Sequence, residues 1–109
     1  MTPIELVQGQ LEAYNNRDID RFCQYFAEDI LVYDGHSGAV TMEGMSAFRE
    51  RYAEVFMLPD LHCTIVNRIE QDDIIIDQES VVFRKEDPVV KAIAVYRIAD
   101  GLIRDVRFY

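Results

Sequence analysis

Asp34 is the acidic residue whose position in the sequence points most directly to proton-transfer chemistry. The apolar run Ile30–Val32 predicts a short strand, and Asp34 stands at its end, before a turn that begins at Gly35. A carboxylate at the dry end of a strand is poorly solvated, which raises its pKa toward the range of a general base. A structural interpretation stays open beside this one, because Asp in a turn commonly accepts hydrogen bonds from the backbone amides that follow it.

Asp77 and Glu79 form a second acidic candidate, because two residues at i and i+2 of a strand share one face. Facing a cavity, they form a coupled pair in which one pKa is raised; facing solvent, they are ordinary surface acids. The inward face of this strand depends on the residues used to align it. Alignment on the last hairpin predicts that Asp77 and Glu79 face inward. Alignment on Pro88 differs by one residue and predicts that the opposite face points inward, namely Ile76, Gln78 and Ser80.

Five more side chains are candidates for lining a pocket: Tyr14, His62, Tyr96, Asp105 and Tyr109. Tyr14 ends the apolar stripe of the first helix and is the preferred hydrogen-bond donor, although tyrosines in such stripes are most often core residues. His62 opens the first long strand and is a possible acid or base, although a lone strand histidine is most often a packed or surface group. The two histidines lie far apart without metal-ligand spacing, so we expect no metal and no cofactor.

The charge balance narrows the classes of partner. The 109 residues carry 20 acids and 11 bases, a net charge of −9, and the basic residues are scattered. Nucleic-acid backbones and anionic membrane surfaces would repel such a chain. We therefore expect no nucleic acid and no membrane as partner, and a small organic ligand that is neutral or cationic.

Length and composition predict one globular domain over residues 1–109, since half of the residues are hydrophobic. The first residues lack a signal-peptide pattern, and no window is long and apolar enough for a membrane span. Cys23 and Cys63 are isolated and have no CxxC spacing. They are interpreted as reduced thiols, which is typical of a cytoplasmic protein; a single disulfide or a reactive thiol is the alternative.

Helical periodicity is confined to the first half of the chain. Thr2, Pro3 and Glu5 form a capping box before an apolar stripe that runs to Tyr14. A second helix begins near Asp18 and is expected to continue through Phe26, before a strand that starts at Ile30. After a short strand at residues 39–42, a third helix runs from residue 44 toward Pro59, which blocks its continuation.

From residue 61 onward the pattern is that of strands. Four runs rich in β-branched and aromatic residues, 61–70, 74–84, 89–98 and 102–109, are separated by short polar turns that fit antiparallel hairpins. The predicted order is α-α-β-β-α-β-β-β-β, an α+β fold in which three helices cover a curved, mostly antiparallel sheet.

The apolar pattern of the strands predicts that a partner chain covers the outer face of this sheet. The run Val89–Tyr96 is apolar on both faces except at Lys91, and three helices can cover only one of them. Val106 and Phe108, opposite Asp105 and Arg107, are expected to add to the apolar outer face. A second copy of the chain would bury it, so we expect a homodimer.

The element order, the segment Phe26–Asp29 leading to Asp34, the run Met42–Gly44 before a helix, and the ending Val95–Val106 resemble the nuclear transport factor 2-like superfamily. The resemblance covers essentially the whole chain and is nearest to the SnoaL-like polyketide cyclase and ketosteroid isomerase branch. It implies a cone-like α+β barrel with a cavity between sheet and helices, and a dimer.

The resemblance also implies roles for single residues. Asp34 falls where the isomerases keep their general base. Their two oxyanion-binding donors, a tyrosine and a protonated aspartate, fall near Gln10 and Ala94. Neither donor is present, so a replacement donor must come from Tyr14, His62 or Tyr96. The implied function is acid–base isomerase or cyclase chemistry on a small carbonyl-containing or polycyclic molecule, with steroid isomerisation disfavoured. A non-catalytic ligand-binding or dimerisation domain is the alternative.

Overall fold

Three helices pack on an open, six-stranded sheet in a computed structural model that describes residues 1–109. In chain order the elements are α1 (Pro3–Asn15), α2 (Ile19–Cys23), β1 (Phe26–Asp34), β2 (Val40–Glu43), α3 (Met45–Val55), β3 (His62–Gln71), β4 (Ile74–Val82), β5 (Val90–Ala99) and β6 (Leu102–Phe108). The predicted α+β class and the predicted order of elements are confirmed.

The strands lie in the order β2-β1-β6-β5-β4-β3. All neighbours are antiparallel except β1 and β6, which are parallel because α3 and the β3–β5 meander intervene between them in sequence. The barrel is not closed, since β2 and β3 remain as edges. The sheet is therefore an open, mixed wall with the helices on one side.

The first helix begins as its sequence predicts. The Thr2 hydroxyl accepts a hydrogen bond from the backbone N–H of Glu5, and the Glu5 carboxylate accepts one from the backbone N–H of Thr2. These reciprocal bonds satisfy two amide groups that the first helical turn leaves free. None of the three helices is both long and apolar enough to cross a membrane.

The second helix is shorter than predicted, because α2 ends at Cys23 and β1 already begins at Phe26. Phe26 pairs with Ile103 of β6, and the carbonyl of Tyr25 accepts a hydrogen bond from the Ile103 amide at 2.9 Å. The expectation of helix through Phe26 is therefore wrong. Pairing with a distant strand overrides the local helical periodicity.

An aromatic cluster fills the space under the helices. The ring of Phe22 lies 4.9–5.6 Å, centre to centre, from the rings of Phe26, Phe48, Tyr52 and Phe56. Each such pair stabilises the fold by about 0.5–1.5 kcal/mol beyond the burial of its area. The cluster fixes α2 and α3 against β1 and so closes one end of the space between helices and sheet.

The outer face of the sheet is apolar in its centre. Ile69, Ile76 and Val95 stand side by side across β3, β4 and β5, and Ile93 lies next to them on β5. Ile69 is 60% exposed and Ile93 is 42% exposed. The expectation that Val106 and Phe108 belong to this face is wrong, because both line the space beneath the helices.

We propose that a second copy of the chain covers this outer face. Sedimentation of the wild type at micromolar concentration should then give about twice the chain mass of 12.7 kDa. Ile69→Lys should give a monomer, because burying an unpaired ammonium group is unfavourable. Met57→Lys, at an 81% exposed residue just after α3, is the matched control and should remain dimeric. A monomeric wild type would contradict the proposal.

Candidate functional site

A cavity of about 330 Å³ lies between the helices and the inner face of the sheet. Sixteen of its nineteen lining residues are hydrophobic, and the exceptions are Gln10, Arg51 and Glu79. A small, mostly apolar cavity with a few polar groups is the usual form of a small-molecule site. Because Arg51 is exposed, Glu79 is the only charged group in the lining that is also buried.

Glu79 receives a hydrogen bond from a chain of polar groups that starts on α1. The side-chain amide of Gln10 donates to the Val7 carbonyl at 3.0 Å and to the Tyr96 hydroxyl at 3.3 Å. Tyr96 in turn donates to Oε2 of Glu79 at 3.4 Å. Because the Tyr96 oxygen already accepts from Gln10, its own proton is directed to the carboxylate.

Asp77, the neighbouring acid on the same face of β4, is already paired. It is fully buried, and Arg68 of β3 holds both of its carboxylate oxygens at 2.6 and 2.9 Å. Arg68 also donates to the Gln8 side chain of α1 at 2.8 Å. A bidentate pair of this kind keeps a buried carboxylate charged, so Asp77 acts as a fixed negative charge near Glu79.

Burial is the main cause that raises the pKa of Glu79, to about 7. The charge of Asp77 raises it further, whereas the hydrogen bond from Tyr96 and the charge of Arg68 oppose the rise. A carboxyl group with a pKa near neutrality exists in both protonation states at ordinary pH. Glu79 can therefore accept a proton from a ligand and return it.

The structure decides the alternative that the sequence left open for β4. Asp77 and Glu79 face inward together with Ile75 and Val81, and the opposite parity faces outward. Of the residues expected to line a pocket, the cavity brings together Tyr14, Glu79 and Tyr96. Asp77 lies behind this lining rather than in it.

Asp34 is expected from the sequence to face the cavity, but it is not among the residues that line it. Asp34 is exposed at the end of β1, and its carboxylate accepts hydrogen bonds from the backbone amides of His36 at 2.9 Å and Ser37 at 3.4 Å. The turn interpretation therefore describes its contacts. Phe108 of β6, with which Asp34 pairs, is nevertheless one of the lining residues.

Three other candidates also lie outside the cavity. His62 is exposed at the start of β3. Asp105 points to the outer face, where it pairs with Arg97 of β5 at 2.6 Å. Tyr109 is 46% exposed and its ring covers Gly35 so closely that an added Cβ would clash with it. The placements of Asp105 and Tyr109 follow from strand parity, because Val106 and Phe108 occupy the inner face of β6.

Two residues of the site were missed in the sequence. Arg68 could have been found from the two-residue turn at Asp72 and Asp73, since that turn pairs Gln71 with Ile74 and therefore Arg68 with Asp77. Tyr52 lies in the apolar stripe of α3, where only the cavity distinguishes it from a core residue. No group of three or more His, Cys, Asp or Glu side chains is close enough together to hold a metal ion, and both cysteines are free.

Comparison with known proteins gives a family and a fold. Residues 7–106 match the model of the SnoaL-like domain family. A cystatin-fold protein from Novosphingobium aromaticivorans superimposes with a TM-score of 0.87 at 24% identity, covering 100% of this chain and 98% of its own. A putative polyketide cyclase from Sinorhizobium meliloti gives 0.82 at 19% identity, covering 100% of both chains.

A third similar structure contains a ligand. It is a hypothetical protein with a ketosteroid isomerase-like fold from Catenulispora acidiphila, in complex with trimethylamine. Its TM-score is 0.76 at 20% identity, covering 99% of this chain and 86% of its own. No curated protein matches the sequence.

The raised pKa of Glu79 predicts a specific pH dependence of stability. The pKa of Glu79 in the folded protein lies above the usual 4.5, so the folded state binds the proton more tightly than the unfolded state. This contribution to the free energy of unfolding is full below about pH 4.5 and is lost as pH rises through 7. From about pH 4.5 to pH 8, the free energy of unfolding of the wild type should therefore fall by about 3 kcal/mol relative to that of Glu79→Gln. Urea unfolding across this range measures the difference.

The exposed Glu70 on β3 supplies the matched control. Glu70→Gln should keep the pH dependence of the wild type. A difference between wild type and Glu79→Gln that does not change with pH would contradict the assignment of the raised pKa to Glu79.

Proposed function

Because the chain belongs to the SnoaL-like domain family, we propose that it is an enzyme of the isomerase or cyclase type, with Glu79 as its acid–base group and a carbonyl compound as substrate. One observation carries the proposal: the Glu79 carboxyl is buried in an apolar cavity and its pKa is raised to about 7. A general base works best when its pKa lies near the working pH. The similar structures named for polyketide cyclase and ketosteroid isomerase-like proteins support the reaction class.

The proposed reaction is an enolisation. The Glu79 carboxylate removes a proton from the carbon next to the carbonyl group, and the electrons of that C–H bond form a carbon–carbon double bond. The carbonyl π electrons move to oxygen, which gives an enolate. If the substrate has a carbon–carbon double bond between its β- and γ-carbons, the enolate is a dienolate, and return of the proton from Glu79 to the γ-carbon moves the double bond into conjugation and completes an isomerisation. Alternatively, attack of the enolate carbon on a second carbonyl carbon of the same molecule would close a ring. The π electrons of that carbonyl then move to its oxygen, which takes the proton from Glu79.

The surroundings of Glu79 fit this role better than those of Asp34. Glu79 is enclosed by apolar groups, so its carboxylate is poorly solvated and basic. Tyr96 donates to one carboxylate oxygen, and burial raises the pKa of Tyr96 well above its usual value, so that the hydroxyl remains a neutral donor. Asp34 instead is exposed, and its carboxylate accepts hydrogen bonds from the turn amides of His36 and Ser37.

Substitution of the two acids separates these roles. In deuterium oxide, the protein should accelerate hydrogen exchange at the carbons next to the carbonyl of small cyclic ketones, measured by NMR. Glu79→Gln keeps the shape and removes the base, so exchange should fall on the order of 10²-fold or more. Asp34→Asn should retain wild-type exchange. Loss of exchange in Asp34→Asn with retention in Glu79→Gln would return the role to Asp34.

A second candidate function is non-catalytic binding of a small organic cation. The charged form of Glu79 shares the cavity with aromatic rings, and Arg68, the nearby cation, is paired with Asp77. Aromatic faces attract ammonium groups. The similar structure that contains trimethylamine supports this reading.

Titration calorimetry with trimethylamine hydrochloride tests this second candidate. Near pH 8 the affinity of Glu79→Gln should be lower on the order of tenfold, because a hydrogen bond to a charged group is lost. The matched control Glu70→Gln should bind as the wild type does. Binding that depends on Glu79, in a protein that exchanges no ketone hydrogens, would favour the binding function over the enzyme.

A further inference from the structure

The side-chain oxygen of Gln10 faces the cavity without a partner in the protein. Gln10 lines the cavity from α1 and is only 5% exposed. Its Nε2 donates to the Val7 carbonyl at 3.0 Å and to the Tyr96 hydroxyl at 3.3 Å, whereas Oε1 accepts no hydrogen bond from any protein group. No fully enclosed side-chain nitrogen or oxygen atom in the protein is unpaired, so Oε1 must contact open space. The cavity is the space that Gln10 lines.

The orientation of the Gln10 amide is fixed by its surroundings. A backbone carbonyl oxygen only accepts hydrogen bonds, so the Gln10 atom that lies 3.0 Å from the Val7 oxygen must be the nitrogen. Exchanging the nitrogen and oxygen positions would place two acceptors together and lose this hydrogen bond. Both N–H groups of the amide are therefore used within the protein, and Gln10 offers the cavity an acceptor only.

A buried acceptor without a donor is unfavourable, and a donor group on a ligand would satisfy it. The Tyr96 hydroxyl cannot supply that donor, because it accepts from Gln10 and donates its own proton to Glu79. An ammonium group beside Gln10 would have only an uncharged oxygen as its partner there. Burying such a charge costs far more than burying a hydroxyl group. The chemistry around Oε1 therefore favours an uncharged O–H group.

We propose that Gln10 is a specificity-determining residue, whose Oε1 accepts a hydrogen bond from an uncharged hydroxyl group of the ligand inside the cavity. Ligands in which this hydroxyl is replaced by an ether leave Oε1 unpaired and bind less well for that reason. If Glu79 acts on the same molecule, the substrate carries this hydroxyl group in addition to its carbonyl group. That extension rests on the proposed function, whereas the hydrogen bond to Gln10 does not.

The probes are phenol and anisole, which share a ring and an oxygen atom but differ in the O–H donor. Calorimetric titrations at about pH 5.5 keep Glu79, with its pKa of about 7, mostly protonated, so that its carboxylate does not compete as acceptor. Gln10→Met keeps the length of the side chain and removes the acceptor. The affinity for phenol divided by that for anisole should fall about five- to tenfold from wild type to Gln10→Met. Gln24→Met, at an exposed glutamine just after α2, is the matched control and should keep the wild-type ratio.

A second measurement needs no variant. In the ¹³C-labelled wild type, the resonance of the Gln10 side-chain carbonyl carbon, Cδ, reports on hydrogen bonds to Oε1. A new hydrogen bond to an amide oxygen withdraws electron density from the carbonyl carbon. Phenol should therefore move this resonance to higher chemical shift, and anisole should not.

The results separate this proposal from the proposed function. A Cδ shift with phenol alone supports the hydroxyl site even if the protein exchanges no ketone hydrogens, in which case only the catalytic role of Glu79 fails. Failure of phenol to bind the wild type at millimolar concentration, or the same Cδ position with phenol and with anisole, overturns the hydroxyl site. An unchanged affinity ratio in folded Gln10→Met overturns it as well, and ketone exchange that depends on Glu79 would then leave only the proposed function standing.

Discussion

The register between β3 and β4 is the constraint on which the candidate site depends. Asp72 and Asp73 join the two strands, and Asp72 takes a left-handed backbone conformation with φ of 53°. This tight connection pairs Arg68 with Asp77, and an irregularity at Val66 then brings Ile65 opposite Glu79. A slip of one residue would turn both acids outward and place Ile76 and Gln78 in the interior. The burial of Glu79 and the pairing of Asp77 are both consequences of this single register.

The two inward acids differ in their surroundings because only Asp77 is paired with a cation, Arg68. Arg68 forms a bidentate pair with Asp77, so the charge of Asp77 persists although its side chain is fully buried. Glu79 receives only one long hydrogen bond, from Tyr96, and feels the repulsion of Asp77. Two carboxylates on one strand face thus divide into an ion pair and a carboxyl group whose pKa is raised to about 7. A raised carboxyl pKa in a cavity is typical of acid–base sites.

Fold similarity alone does not decide which acid faces the cavity. The resemblance to the isomerases implies a base at the end of β1, and Asp34 is an acid at that position. In this chain the strand ends in a short turn, and the amides of His36 and Ser37 bind the carboxylate. The acid that faces the cavity comes instead from β4. Sites change within a shared fold because a side chain's function depends on its immediate surroundings rather than on the topology.

The sequence by itself determined the fold class, the order of the nine elements and the capped start of α1, because these follow from local periodicity, turn residues and capping. It also named Tyr14, Glu79 and Tyr96 as pocket residues. Only the tertiary structure decided that β1 begins at Phe26, that Glu79 rather than Asp34 faces the cavity, and that Asp105 and Tyr109 lie outside it. Those outcomes depend on which strands pair and in which register. Phe26 becomes a strand residue only where Ile103 lies beside it, and Glu79 becomes basic only once the helices exclude water from it.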